Sequence, residues 1–440
     1  MSPENPSSIT ELPENRELAE EIAHDPTAHP TIASTDQVNT LSEYIDARWR
    51  RVRAGDSGVL PVVLGLVIVG IIFQLQQSVF LTAGNLVNLL EQSGPFIMLG
   101  MAEVFVLLLG EIDLSIGYSG AVGATIMTIL AAPPINDGWV IAIGAGVLAT
   151  GAIGFLQAQI ITRLRLPSFV VTLAGLLFWE GFLIWLINQW NPSAGGSVPI
   201  NNPTIFNIVN GTLSPTVGWV AMAACVGLYG VVTVLADRRR RHSGLVAPPV
   251  IVTVAKIAMA AVAGIVLVAI CNTNRGIAGS QYNGVPWVVP IVLAFVVGWS
   301  FLLGRTKLGR YIYAIGGNTE AARRAGINVN RVRVIAFTLT GVTAGAGMVV
   351  YASRLGSMSS DVDGGSLVLY AVAAAVIGGT SLLGGRGKMS HALLGGLMIA
   401  AIYNGMGLLN IQASVQFMVT ALVLLAAVTV DALARRGSAA

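Results

Sequence analysis

Twelve apolar stretches, each close to the length of a membrane crossing, dominate what this 440-residue chain can fold into. They run at roughly 59–77, 93–110, 115–132, 139–161, 168–187, 216–236, 250–271, 287–304, 334–352, 367–384, 390–409 and 413–431. About 20 helical residues cross about 30 Å of hydrocarbon, and only helices or closed barrels satisfy their own backbone polar groups there. The length of the runs and their Ala, Leu and Gly content exclude barrel strands. The expected fold class is therefore all-α, a polytopic membrane helical bundle. Composition agrees: 11% of residues are charged, against about 25% in soluble domains.

The bases sort between alternate gaps. Arg48, Arg50, Arg51 and Arg53 precede the first run, and Arg163, Arg165, Arg238 to Arg241, Arg386, Lys388, Arg435 and Arg436 follow even-numbered runs. The gap after the eighth run holds seven more, whereas the odd-numbered gaps hold only Arg275 and Arg354. Twenty-one bases against two put both termini in the cytoplasm and make the number of crossings even. Twelve crossings, or ten with re-entrant segments, satisfy this. Basic cytoplasmic loops also account for the pI near 9.0, so it implies no nucleic-acid partner.

Ten of the 22 acids lie in residues 1–47, a stretch rich in Pro, Glu, Thr and Ser. It is expected to be a disordered acidic cytoplasmic tail, with no cleavable signal peptide, ahead of a membrane domain over 48–440. Cys225 and Cys271 fall in or beside apolar runs, and the four histidines are scattered. No structural disulfide, metal site or cofactor is expected.

The loop over residues 304–333 is the longest well-charged interval after the tail. Its bases are Arg305, Lys307, Arg310, Arg323, Arg324, Arg331 and Arg333, and Glu320 is its one acid. Glu320-Ala321-Ala322 followed by Gly326 reads as a short exposed helix with a glycine stop, suited to docking on a soluble partner. Those three letters alone are ordinary helix composition.

Gly110-Glu111-Ile112-Asp113-Leu114-Ser115 interrupts a long apolar interval. A carboxylate at that depth is costly unless paired, protonated or hydrated. Asp113 and Ser115 suit N-capping of the following helix, or lining of a solute path, and the residues leave both open. Glu103 and Glu180 allow a proton relay or a hydrogen bond between helices. Gly378 to Lys388 is glycine-rich but is no phosphate loop: Leu382 and Met389 stand where the pattern needs Gly and Ser or Thr. Asn404, Asn410, Gln412 and Gln416, with Asn85, Asn88 and Gln92, suit sugar hydroxyls and helix ends equally.

Three of these stretches together resemble one family. Gly309-Arg310-Tyr311-Ile312-Tyr313-Ala314-Ile315-Gly316-Gly317-Asn318, leading into Glu320-Ala321-Ala322-Arg323 and Gly326-Ile327, looks like the coupling loop of ribose/xylose-type sugar permeases of ABC importers. Gly110 to Gly117 and Ala373 to Gly387 match the same family, and the resemblance covers roughly residues 59–434. The spans around Asp237–Pro249 look like the insertion that lengthens xylose-type permeases.

The resemblance implies a permease subunit of an ATP-driven monosaccharide importer in the bacterial cytoplasmic membrane. A cytoplasmic ATPase, an extracytoplasmic sugar-binding protein and a second permease copy would be its partners. Gly309, Arg310, Gly316, Gly317, Asn318, Glu320, Ala321, Ala322 and Gly326 would carry the contact with the ATPase. Glu111, Asp113, Ser115 and Asn404 are the candidates for the sugar path. A proton-coupled secondary transporter using Glu103, Glu111 or Asp113 is the alternative, although it leaves the loop idle and shows no related halves. No constellation of groups at bilayer depth supports an enzyme.

Overall fold

The structure is a computed structural model that describes residues 60–190, 196–243, 248–276 and 281–436. The expected acidic tail and the four arginines before the first run lie outside the described residues. Helices α1 (Leu60–Gln76), α2 (Ala83–Leu107), α3 (Ile116–Ala131), α4 (Trp139–Leu164) and α5 (Ser168–Trp190) open the chain. A short β1 (Ser197–Pro199), α6 (Pro203–Asn210) and β2 (Thr212–Leu213) lead to α7 (Pro215–His242) and α8 (Val250–Cys271). After β3 (Val285–Pro286) come α9 (Val288–Arg305), α10 (Lys307–Gly317), α11 (Thr319–Arg324) and α12 (Val329–Leu355). The chain continues through β4 (Ser357–Ser359), α13 (Gly364–Ile377), α14 (Met389–Leu408) and α15 (Ala413–Arg436).

All twelve expected runs are helices: eight are long and apolar enough to cross a membrane, and α1, α3, α13 and the described apolar part of α15 are shorter. Several boundaries differ from the sequence expectation. The second helix begins at Ala83 rather than near 93, because its first turns are polar yet packed, with Asn85 buried. The tenth ends at Ile377 rather than 384, where the glycine-rich turn begins. At about 1.5 Å per residue, α3 and α13 extend only about 24 and 21 Å, short of a full hydrocarbon crossing.

The centre of the bundle is α2, buried without interruption from Ser93 to Leu107. Helices α12, α13 and α14 pack on α2, and α4 packs on α12 and α3. Small residues set these distances, as expected for helices that gain little from apolar burial in lipid. A Cβ on Gly341 would sit 2.4 Å from the Thr150 carbonyl oxygen, and one on Gly117 would sit 2.0 Å from that of Gly364. The α7–α8 hairpin, by contrast, is buried over only 6% and 11% of its two apolar windows, so it lies at the periphery of the chain.

Alternate loops gather at opposite ends. At one end β1 pairs with β4 and β2 with β3, both antiparallel. There Asn210 donates to the Ser353 carbonyl at 2.7 Å and Tyr282 to that of Asn210 at 2.7 Å. The two odd-gap arginines are satisfied locally: Arg354 pairs with Glu91, and Arg275 lies over the Tyr282 ring. The basic loops of α4–α5, α9–α12 and α13–α14 meet at the other end.

Candidate functional site

The basic loop folds as two helices, not one. Leu308, Ile312 and Ile315 fall at helical spacing, and α10 buries Ile312 and Ile315 against the core. Thr306 caps it by accepting from the Gly309 amide at 3.2 Å. A kink follows at Asn318, whose side-chain oxygen accepts from the Ala321 amide at 2.9 Å and so starts α11. Arg310, Gly317, Asn318, Glu320 and Ala321 are exposed, whereas Ala322 is buried.

The glycine stop at Gly326 has φ +83°. Ile327 donates to the Ala322 carbonyl at 3.1 Å and Gly326 to that of Arg323 at 3.0 Å, a Schellman closure. Glu320 does not cap the helix. It pairs with Arg323 at 2.8 Å, both side chains more than half exposed.

The three stretches that carried the resemblance meet at one junction. Gly385 donates its amide to the Leu108 carbonyl at 2.9 Å, and the Tyr313 hydroxyl donates to the Gly387 carbonyl at 2.7 Å. Burial pushes the Tyr313 phenol above its ordinary pKa, which keeps it a neutral donor. Gly316 fills the gap between them: a Cβ there would lie 1.7 Å from the Leu108 oxygen and 2.5 Å from the Gly385 nitrogen. Gly110, Gly384 and Gly385 all have positive φ, so the two turns facing Gly316 are closed by left-handed backbone. Glu111 then forms an ion pair with Arg333 at the start of α12.

Beyond Glu111 the chain runs non-helically into the bundle. Asp113 accepts from the Ser115 amide at 2.9 Å and its hydroxyl at 2.7 Å, an Asx-turn before α3. Gln157 donates to the Ser115 hydroxyl at 2.9 Å, about 12 Å up α4 from its Arg165 end. Thr172 donates to the Ile112 carbonyl at 3.3 Å. Side chains thus satisfy the irregular backbone at depth, as a spanning bundle requires.

Glu111, Asp113 and Ser115 therefore sit together near the junction of Leu108, Gly316 and Gly385. Asn404 does not: it is buried near the far end, bonded to Asn85 at 2.8 Å and donating to Gln92 at 3.1 Å. Glu103 is fully buried beside Asp113, and Glu180 accepts from Tyr118 at 3.1 Å.

Next to α11 the surface is concave. A cavity of about 760 Å³ opens between the α4–α5 turn and the α11–α12 connection, lined in part by Arg165, Arg323, Asn328 and Arg333. Sequence reasoning named Arg165 only as a topological charge. Its place beside the loop depends on contacts across about 160 positions that no local pattern encodes.

Comparison with known proteins bears on what this arrangement serves. The family described as "Branched-chain amino acid transport system / permease component" matches residues 85–428. The xylose transport system permease protein of Escherichia coli (strain K12) is 34% identical over 82% of this chain and 87% of its own length. The ribose import permease protein of the same strain is 30% identical over 83% of this chain and 91% of its own. The D-allose transport system permease protein is 29% identical over 83% and 89%. No solved structure matches. With a family match over most of its length and close relatives covered almost end to end, the chain belongs to this family of transport-system permease components, multi-pass membrane proteins that serve transport and not catalysis.

Proposed function

We propose that the chain is the membrane-spanning subunit of an ATP-binding-cassette importer that moves a monosaccharide of the xylose or ribose kind across the bacterial cytoplasmic membrane. The xylose, ribose and allose permeases among its relatives support the substrate class over the amino acid in the family's description. A sugar-binding protein outside, an ATPase inside and a second permease copy complete the machine. Both termini and the loop over 304–333 face the cytoplasm.

The observation that carries this reading is the convergence at Gly316. An exposed helix, α11, is tied through α10 to the end of α2, to the α13–α14 turn and to the irregular segment before α3. Force applied to α11 by a closing ATPase reaches all three without passing through a flexible linker. Arg310, Asn318, Glu320 and Ala321 form the face offered to the ATPase, and the basic cavity beside Arg165 accepts an acidic part of it. The sugar moves unchanged through the bundle.

Co-purification tests the contact. The ATPase encoded for this system should be retained by the tagged wild-type permease and released from the Gly326→Val protein, both at equal levels in the membrane. Equal retention by both would remove the loop from the contact.

A further inference from the structure

A second cavity lies at the end of the bundle opposite the coupling junction, among α2, α12, α13, α14 and α15. It measures about 380 Å³, at the small end of the about 300–1,000 Å³ typical of ligand sites. Its walls carry one ion pair and one carboxylate held by local hydrogen bonds. Arg354 donates to Asn88 at 2.8 Å and pairs with Glu91 at 3.5 Å. Asp363 accepts from the Ser366 amide at 2.9 Å and from its hydroxyl, which caps α13. The carboxylate of an amino acid would have to displace Glu91 from Arg354, so the paired cation does not favour one.

What remains is neutral, aromatic and rich in hydrogen-bonding capacity. Phe96, Tyr370 and Tyr403 form a ring cluster with centroids 5.4, 5.9 and 6.4 Å apart. Tyr403 is 42% exposed. The hydroxyls of Tyr351 and Tyr403 have no hydrogen-bond partner among the described residues. Gln92 joins them, its carbonyl held by the Asn404 amide at 3.1 Å, so that its NH₂ group is left to donate. A sugar ring presents an apolar C–H face, which suits an aromatic ring, and an edge of hydroxyls that both donate and accept.

We infer that this cavity is the site where a neutral monosaccharide first enters the permease, with Tyr403 as its stacking surface, Tyr351 and Gln92 as hydroxyl partners, and Asn404 as the residue that positions Gln92. The inference rests on the importer reading and names the place of substrate contact within it.

The test uses the complete transporter, with its ATPase and binding protein, in proteoliposomes supplied with D-xylose or D-ribose. Tyr351→Phe should lower uptake about three- to tenfold, the worth of one hydrogen bond. Tyr403→Ala should lower it further, and Tyr403→Phe should recover part of the loss. Thermal midpoints equal to wild type show that these proteins are folded. On the full chain in lipid nanodiscs, saturation-transfer NMR should show contact with the transported sugar that disappears in Tyr403→Ala. Sugar transport and NMR contact unchanged in all three variants would overturn the site while leaving the importer intact. Contact with L-leucine and none with either sugar would overturn it as well. Wild-type transporter that moves neither sugar would instead defeat the importer reading itself.

Discussion

Gly316 and Gly326 lie ten positions apart in the loop and are constrained for different reasons. Gly316 packs against Leu108 and Gly385, and a methyl group there would overlap the Leu108 carbonyl. Gly326 has open space around it, but its φ of +83° suits residues without a Cβ. Substitution at Gly316 is therefore a packing fault, costing about 1–3 kcal/mol by overpacking, and it should disturb all three loops together. Gly316→Ala is expected to lower both the thermal midpoint and sugar uptake. Left-handed backbone costs an L-residue about 1–2 kcal/mol, and Asn tolerates it better than Val. Uptake should therefore rank wild type, Gly326→Asn, then Gly326→Val, at equal protein level. Glu320 belongs to a third class. Its pair with Arg323 is exposed and worth about 0.2–0.5 kcal/mol on a helix. Glu320→Ala should thus leave the midpoint unchanged within error, and any fall in uptake would report contact with the ATPase.

At the scale of elements, the segment from Gly110 to Ser115 joins α2, α4, α5, α12 and the α13–α14 turn. Its ion pair between Glu111 and Arg333 is largely shielded, with side-chain exposures of 10% and 28%. Removing one partner strands the other, so the double variant Glu111→Gln with Arg333→Gln should destabilise less than the sum of the two single variants. A coupling energy of about 0.5–3 kcal/mol is expected from a double-mutant cycle on the thermal unfolding of the purified chain. Additive effects would show that the pair does not hold α12 to the junction. This segment also marks how far the sequence could be read. The helices were legible, because a run of about 20 apolar residues leaves the backbone few alternatives. The turn before α3 was legible from Asp113 and Ser115, although no side-chain bond caps that helix, and Gly326 was legible as a helix stop. The ends of α2 and α12 were not, because Asn85 and Asn328 are polar residues that packing and capping draw into or beside the helix. Helix α10 could have been found from the spacing of Leu308, Ile312 and Ile315. The meeting of Leu108, Gly316 and Gly385 could not, since contacts between residues so far apart leave no trace in local periodicity.

The whole molecule has two unlike ends joined by α2 and α12. One is basic, glycine-tight and carries an exposed helical loop; the other carries few bases and holds the aromatic cavity. If bases mark the cytoplasm, the two ends should label from opposite sides. In a background with Cys225 and Cys271 replaced by Ala, a cysteine at Asn201 should react with an impermeant thiol reagent on intact cells. One at Asn318 should react only on inverted vesicles. The reverse pattern would invert the bundle and move the coupling loop to the wrong side of the membrane. The central claim is that transport is driven through that loop by ATP, and the alternative is a proton gradient acting on Glu103, Glu111 or Asp113. Uptake of radiolabelled sugar into right-side-out proteoliposomes, with ATP and the ATPase enclosed on the side of Asn318 and the binding protein outside, separates the two. The account predicts accumulation that requires ATP and the ATPase subunit and survives a protonophore. Accumulation driven by an imposed pH gradient, without ATP and abolished by the protonophore, would contradict it.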